Sequence, residues 1–153
     1  MLKAATSKLI ANDAMTLSLI IKDNLEADTS GLELKRLARA DDRIYQQRDD
    51  EALALLDDIF ANGNEVSIPP ALFRKGEIAE KRKEYEAAEQ LFLQIVEQYP
   101  ESYMADAALM QAALIEQNHL KNKELAKQHY EQLIDEYPTS IYTAQAKKNY
   151  RKL

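Results

Sequence analysis

Leu91-Phe92-Leu93-Gln94-Ile95-Val96-Glu97-Gln98-Tyr99-Pro100-Glu101-Ser102 and His129-Tyr130-Glu131-Gln132-Leu133-Ile134-Asp135-Glu136-Tyr137-Pro138-Thr139-Ser140 decide how this chain folds. The two stretches match in residue type at most places and are offset by 38 residues. A weaker copy, Leu55-Leu56-Asp57-Asp58-Ile59-Phe60, precedes the first by 36. Self-similarity at such a period marks a stack of like supersecondary units, each too small to bury its apolar face alone.

Each copy lies on a helix-period stripe. Ala88, Leu91, Phe92, Ile95 and Tyr99 recur at three- and four-residue steps, which places them on one face. The same stripe is written as Ala52, Leu55, Leu56, Ile59 and as Ala126, Tyr130, Leu133, Tyr137. A helical segment precedes each across a short polar turn. The pattern predicts a helix near 9–24, pairs at 31–62, 70–98 and 103–136, and a last helix near 140–151 that caps the array. Together they form a single helical domain over residues 1–153, whether the chain is whole or a piece of a longer protein.

The punctuation agrees. Ser30-Gly31-Leu32-Glu33 has the spacing of a capping box. Pro69-Pro70 suits a first helical turn, where a missing N–H leaves no bond unmade. Pro100 and Pro138 stop their helices, and Ser102 and Ser140 are expected to cap the next ones.

Composition bounds the function. Among 153 residues, 46% are apolar, enough for a continuous core, and only 3 Gly and 4 Pro argue against a turn-rich β protein. With 20 Lys and Arg against 26 Asp and Glu, the charge of −6 disfavours nucleic acid as a partner, because phosphate binding needs a basic footprint. The absence of cysteine removes disulfides and thiolate metal sites. The best apolar run, Leu17 to Ile21, is far too short to insert in a membrane.

A helix pair recurring every 34 or so residues and closed by Pro resembles the tetratricopeptide repeat. The middle unit carries Leu72, Lys75-Gly76, Ala79, Tyr85, Ala88, Phe92 and Pro100 at that family's spacing. The next carries Leu109, Ala112-Ala113, Glu116, Ala126, Tyr130 and Pro138, with one extra residue near His119-Leu120-Lys121. The first carries Arg39-Ala40, Ala52 and Leu56. Departures are Lys75 and Arg39 for an apolar residue, Ala79 and Glu116 for Tyr, and Arg43 for a bulky buried one. Small residues at Ala40, Gly76 and Ala113, and at Ala52, Ala88 and Ala126, would let helices close on one another. The Tyr-Pro-x-Ser ending and the last twelve residues also resemble repeat proteins of the bacterial envelope. That likeness implies a periplasmic or envelope location if the chain belongs to a longer exported protein, and a cytoplasmic one otherwise.

The resemblance implies an all-α, right-handed superhelical stack of antiparallel helix pairs and a non-catalytic scaffold that binds protein or peptide segments. The alternative is an assembly or accessory domain of a larger envelope complex or multidomain enzyme. It also implies a concave face lined by Leu37, Asp41 and Tyr45, by Phe73, Glu77 and Glu80, and by Met110, Leu114 and Gln117. Acidic residues in that lining favour a partner with apolar anchors and positive charge. The array ends are the expected route to any homo-oligomer.

No constellation for chemistry stands out. His119 and His129 lack one-turn spacing and share no ligand set for a metal. There is no phosphate loop or nucleophile elbow, so neither an enzyme nor a cofactor is expected. Asp41-Asp42, Asp49-Asp50-Glu51 and Asp57-Asp58 read as helix-start or solvated charges before a Ca²⁺ site. Lys147, Lys148, Arg151 and Lys152 read as cations at a helix C-terminus.

Overall fold

The computed structural model describes residues 31–153, so the helix expected near 9–24 and the Ser30 half of the capping box lie outside the described residues. Seven α-helices and no strand occur among the described residues. We label them α1 (Leu32–Tyr45), α2 (Asp49–Asn62), α3 (Ile68–Lys81), α4 (Tyr85–Gln98), α5 (Ala105–Ile115), α6 (Lys123–Glu136) and α7 (Thr143–Lys152). A single π-helical turn, Glu116–Leu120, continues α5. Over these residues the chain is all-α and built of repeated helix pairs. It forms two compact units, one ending at Ala71 and the other spanning Leu72–Leu153.

In the first unit, α1 and α2 pack as an antiparallel hairpin across the turn at 46–48. Their buried residues fall at helical steps: Glu33, Leu37 and Ala40 on one, Ala52, Leu56 and Ile59 on the other. Ala40 and Ala52 are fully buried small residues, as the repeat pattern requires. Asp49, Asp50 and Glu51 occupy the first turn of α2, where unpaired N–H groups favour negative charge. Pro69 and Pro70 fall in the first turn of α3. That helix is started by a reciprocal cap not anticipated from the sequence. The Asn64 Oδ1 accepts from the Val66 and Ser67 amides at 2.9 and 3.0 Å, and Ser67 Oγ accepts from the Asn64 amide at 3.0 Å.

In the second unit each helix packs on the next, α4 on α5, α5 on α6, and α6 on α7. Ala88, Phe92, Ile95, Ala126, Tyr130 and Leu133 are all fully buried, so the stripe read from the repeats is the core. Each such aliphatic or aromatic burial contributes roughly 1.5–3 kcal/mol. α5 is apolar nearly all round, with Ala105, Ala108, Leu109, Met110, Ala112, Ala113 and Ile115 buried, because it is packed on several sides at once. Gly76 lies against the Phe92 ring, where an added Cβ would come 2.7 Å from two of its carbons.

The serines differ from expectation. α5 and α7 begin at Ala105 and Thr143, later than the sequence pattern placed them. Ser102 and Ser140 sit in the preceding turn, where their hydroxyls accept from the amides of Met104 and Tyr142 two residues on, at 3.2 and 3.1 Å. They brace the turn before the helix and leave its first N–H groups to the backbone carbonyls of that turn.

Candidate interaction surface

The turn within each helix pair positions the surface that follows it. In the first two, the chain leaves the helix through one left-handed residue, Gln47 (φ 62) and Lys83 (φ 62). The bonds Arg48 N–H to Arg43 O (2.8 Å) and Glu84 N–H to Ala79 O (2.9 Å) close these turns, with Gln47 N–H to Ile44 O and Lys83 N–H to Glu80 O inside them. This is the Schellman arrangement, with no glycine at its left-handed position. In the third, Lys121 (φ 57) takes that place, but Asn122 N–H reaches back one residue further, to Glu116 O at 2.9 Å. The extra residue noted near His119-Leu120-Lys121 is therefore taken up as the π-turn.

The π-turn changes what faces inward. Glu116 is fully buried at a position where the repeat pattern has Tyr. Both its oxygens lie within reach of His129 Nδ1, at 2.8 and 2.9 Å, so the imidazole nitrogen facing it carries the hydrogen. Gln117 Oε1 accepts from the Tyr130 hydroxyl at 2.6 Å, and that hydroxyl accepts from Asn149 Nδ2 at 3.2 Å. Gln145 Nε2 in turn donates to Asn149 Oδ1 at 2.8 Å. His119, on the same turn, stacks on Tyr85 with centroids 3.9 Å apart and planes 5° from parallel. The two histidines thus have separate partners.

Burial pushes the Glu89 carboxyl up to about 7, helped by its hydrogen bond to Glu116 and by the charges of Glu116 and Glu86, while His129 opposes them. Sequence reading missed this cluster. Its signal was present, because Glu116 continues the apolar stripe Leu109, Ala112, Ala113 by helical steps and is the one carboxylate there.

The nine residues expected to line a concave face divide by exposure. Leu37, Phe73 and Met110 are buried, and Phe73 stands edge-on to Phe92 with centroids 5.1 Å apart. They support the helices and offer little surface. Asp41, Tyr45 and Glu77 are exposed, Tyr45 at 87%. Glu80, Leu114 and Gln117 are half-buried, and Gln117 is held by Tyr130 as above.

The acidic pairs are largely absorbed locally. Asp58 pairs with Arg36 at 3.1 Å, and Asp42 accepts from Gln46 at 3.0 Å. Arg43, expected at a buried position, is half-exposed and pairs with Glu51 at 3.1 Å. Among the described residues no group of three His, Cys, Asp or Glu side chains could hold a metal ion. No helix there is long and apolar enough to cross a membrane. Lys147, Lys148, Arg151 and Lys152 are exposed along α7, and Lys127 sits 5.6 Å above the Tyr150 ring.

Comparison with known families agrees with this geometry. Residues 70–102 and 107–140 each match the tetratricopeptide repeat family. These two segments are tetratricopeptide repeats, and together they cover less than half of the chain. Neither the curated proteins nor the solved structures contain a match to this chain. Repeats of this family typically mediate protein–protein interaction as non-catalytic scaffolds.

Proposed function

We propose that this chain is a non-catalytic scaffold that holds peptide or protein segments with apolar anchors and positive charge. The observation that carries this reading is a repeated acid. Asp41 on α1 and Glu77 on α3 stand at the same register of successive repeats, 36 residues apart, and both are exposed. Within the first unit Tyr45, one turn beyond Asp41, adds an exposed ring, and within the second Leu114 adds a half-buried apolar contact. Acidic side chains beside such anchors select basic amphipathic segments through charge as well as apolar contact.

The test is binding of labelled peptides that share apolar anchors and differ in charge, measured by fluorescence anisotropy. The parent should prefer the basic set, and the preference should weaken as salt is raised. A variant carrying Asp41→Lys and Glu77→Lys should lose most of that preference. Equal binding of basic and acidic peptides by the parent would sink the proposal.

A further inference from the structure

Tyr103 and Ile141 are large apolar residues, 51% and 85% exposed. Each directly follows a Tyr-Pro-x-Ser ending, and they stand 38 residues apart like the stretches that precede them. We propose that the edge of the second unit made by the turns 99–104 and 137–142 is a docking surface for an amphipathic protein segment that carries Lys or Arg beside bulky apolar side chains. The inference rests on the scaffold reading above for the kind of partner and assigns it a surface outside the residues named there.

One exposed apolar side chain is ordinary in a folded protein. Two at the same register, on turns bonded to each other, make a repeated apolar feature. The Tyr137 hydroxyl donates to Pro100 O at 3.0 Å, and Ser140 Oγ donates to Asp106 Oδ2 at 2.7 Å. The second turn is thus fastened to the first at points on both sides of Tyr103 in the chain. Within each turn the Ser102 and Ser140 hydroxyls accept from amides two residues on. The edge is therefore held in shape before a partner arrives, which lowers the ordering cost of binding.

The charge of this edge says what covers it. No Lys or Arg occurs between Lys83 and Lys121, or between Lys127 and Lys147. Glu97, Glu101, Asp135 and Glu136 are exposed there, and no ion pair among the described residues involves them. Helix stability does not explain three of these acids. Glu97 lies in the last turn of α4, and Asp135 and Glu136 in the last turn of α6, with no basic residue in either turn. The unpaired carbonyls of a helix C-terminus make it partly negative, so carboxylates there are unfavourable. Burial pushes the Tyr137 hydroxyl up, and the charges of Glu136, Glu101 and Asp106 push it the same way. An edge that is anionic and partly apolar suits a segment that is cationic and partly apolar. Its Lys or Arg heads would meet these carboxylates while its apolar side chains cover Tyr103 and Ile141.

Fluorescence anisotropy on the whole chain tests the surface, with a labelled amphipathic peptide of Leu, Ala and Lys and its counterpart carrying Glu for Lys. The parent should prefer the Lys peptide by about tenfold or more. Tyr103→Ser with Ile141→Ser should weaken its binding by about tenfold or more. Asp135→Lys with Glu136→Lys should remove the preference while leaving the melting temperature at or above the parent's, because cations suit that helix end. A merely structural role for these acids would instead lower the melting temperature. If the apolar variant does not fold, the charge variant decides.

Edge variants that bind the Lys peptide as the parent does would overturn the proposal. If binding is then lost in the Asp41→Lys, Glu77→Lys chain, the scaffold reading stands without this edge. A parent that does not distinguish the two peptides would overturn both. A parent that sediments as a dimer, and as a monomer once Tyr103→Ser and Ile141→Ser are introduced, would overturn the proposal in favour of a second copy of this chain on the edge.

Discussion

The hydroxyl of Tyr137 donates to the carbonyl of Pro100 at 3.0 Å, joining the end of one repeat to the end of the one before it across 37 residues. Asp106 and Ser140 make a second such stitch at 2.7 Å over 34 residues. Both involve the Tyr-Pro-x-Ser ending, so a motif that reads as a helix stop in one dimension is also an inter-repeat fastener in three. Replacing Tyr137 with Phe should cost about 0.5–1.5 kcal/mol, the net worth of one hydrogen bond. Urea unfolding would show it as a lower midpoint with an unchanged slope.

Gly76→Ala should destabilise the second unit, although alanine is the better helix former by about 1 kcal/mol. The new Cβ would stand 2.7 Å from two carbons of the Phe92 ring. That ring is fully buried and held edge-on by Phe73, so it cannot swing away freely. Overpacking of this kind costs roughly 1–3 kcal/mol, and Ala88→Leu on the facing helix should do the same. A melt of either variant at or above the parent's temperature would show the closest approach lies elsewhere.

Lys83→Gly should raise stability. Lys83 is exposed and holds a left-handed backbone, φ 62, that costs an L-residue about 1–2 kcal/mol and glycine little. The greater freedom of glycine in the unfolded chain returns about 0.4–1 kcal/mol of that gain. The net increase should lie between roughly 0 and 1.6 kcal/mol and be read in chemical denaturation. A loss of stability would mean that the Lys83 side chain makes a contact worth more than the strain.

Removing residues 140–153 should lower the melting temperature and promote association. α7 packs on α6 with Ala146 and Asn149 buried, and Asn149 donates to the fully buried Tyr130 hydroxyl. The stripe Tyr142, Ala146, Tyr150 read from the sequence is only partly inward, since both tyrosines are half-buried and Asn149 takes the inner place. Without this helix, Tyr130 and Leu133 would meet solvent, and sedimentation should detect oligomers. A monomeric truncation with the parent's melting temperature would leave the basic end as a surface rather than a cap.

The stretches 91–102 and 129–140 by themselves determined that this part of the chain is helical and that Phe92, Ile95, Tyr130 and Leu133 are core. Helix periodicity and burial are local properties: Ala88, Phe92 and Ile95 share a face because of the 3.6-residue turn, whatever lies opposite. The family likeness was legible for the same reason, since its small and aromatic positions follow that period. Only the tertiary structure decided that Leu37, Phe73 and Met110 are support while Asp41, Tyr45 and Glu77 are surface. It alone showed that one extra residue becomes a π-turn and carries Glu116 to His129, thirteen residues on, and to Glu89. Such contacts depend on how each turn rotates one helix against the next. A single inserted residue, or a left-handed step at Gln47, Lys83 or Lys121, changes that rotation without altering the pattern along the chain.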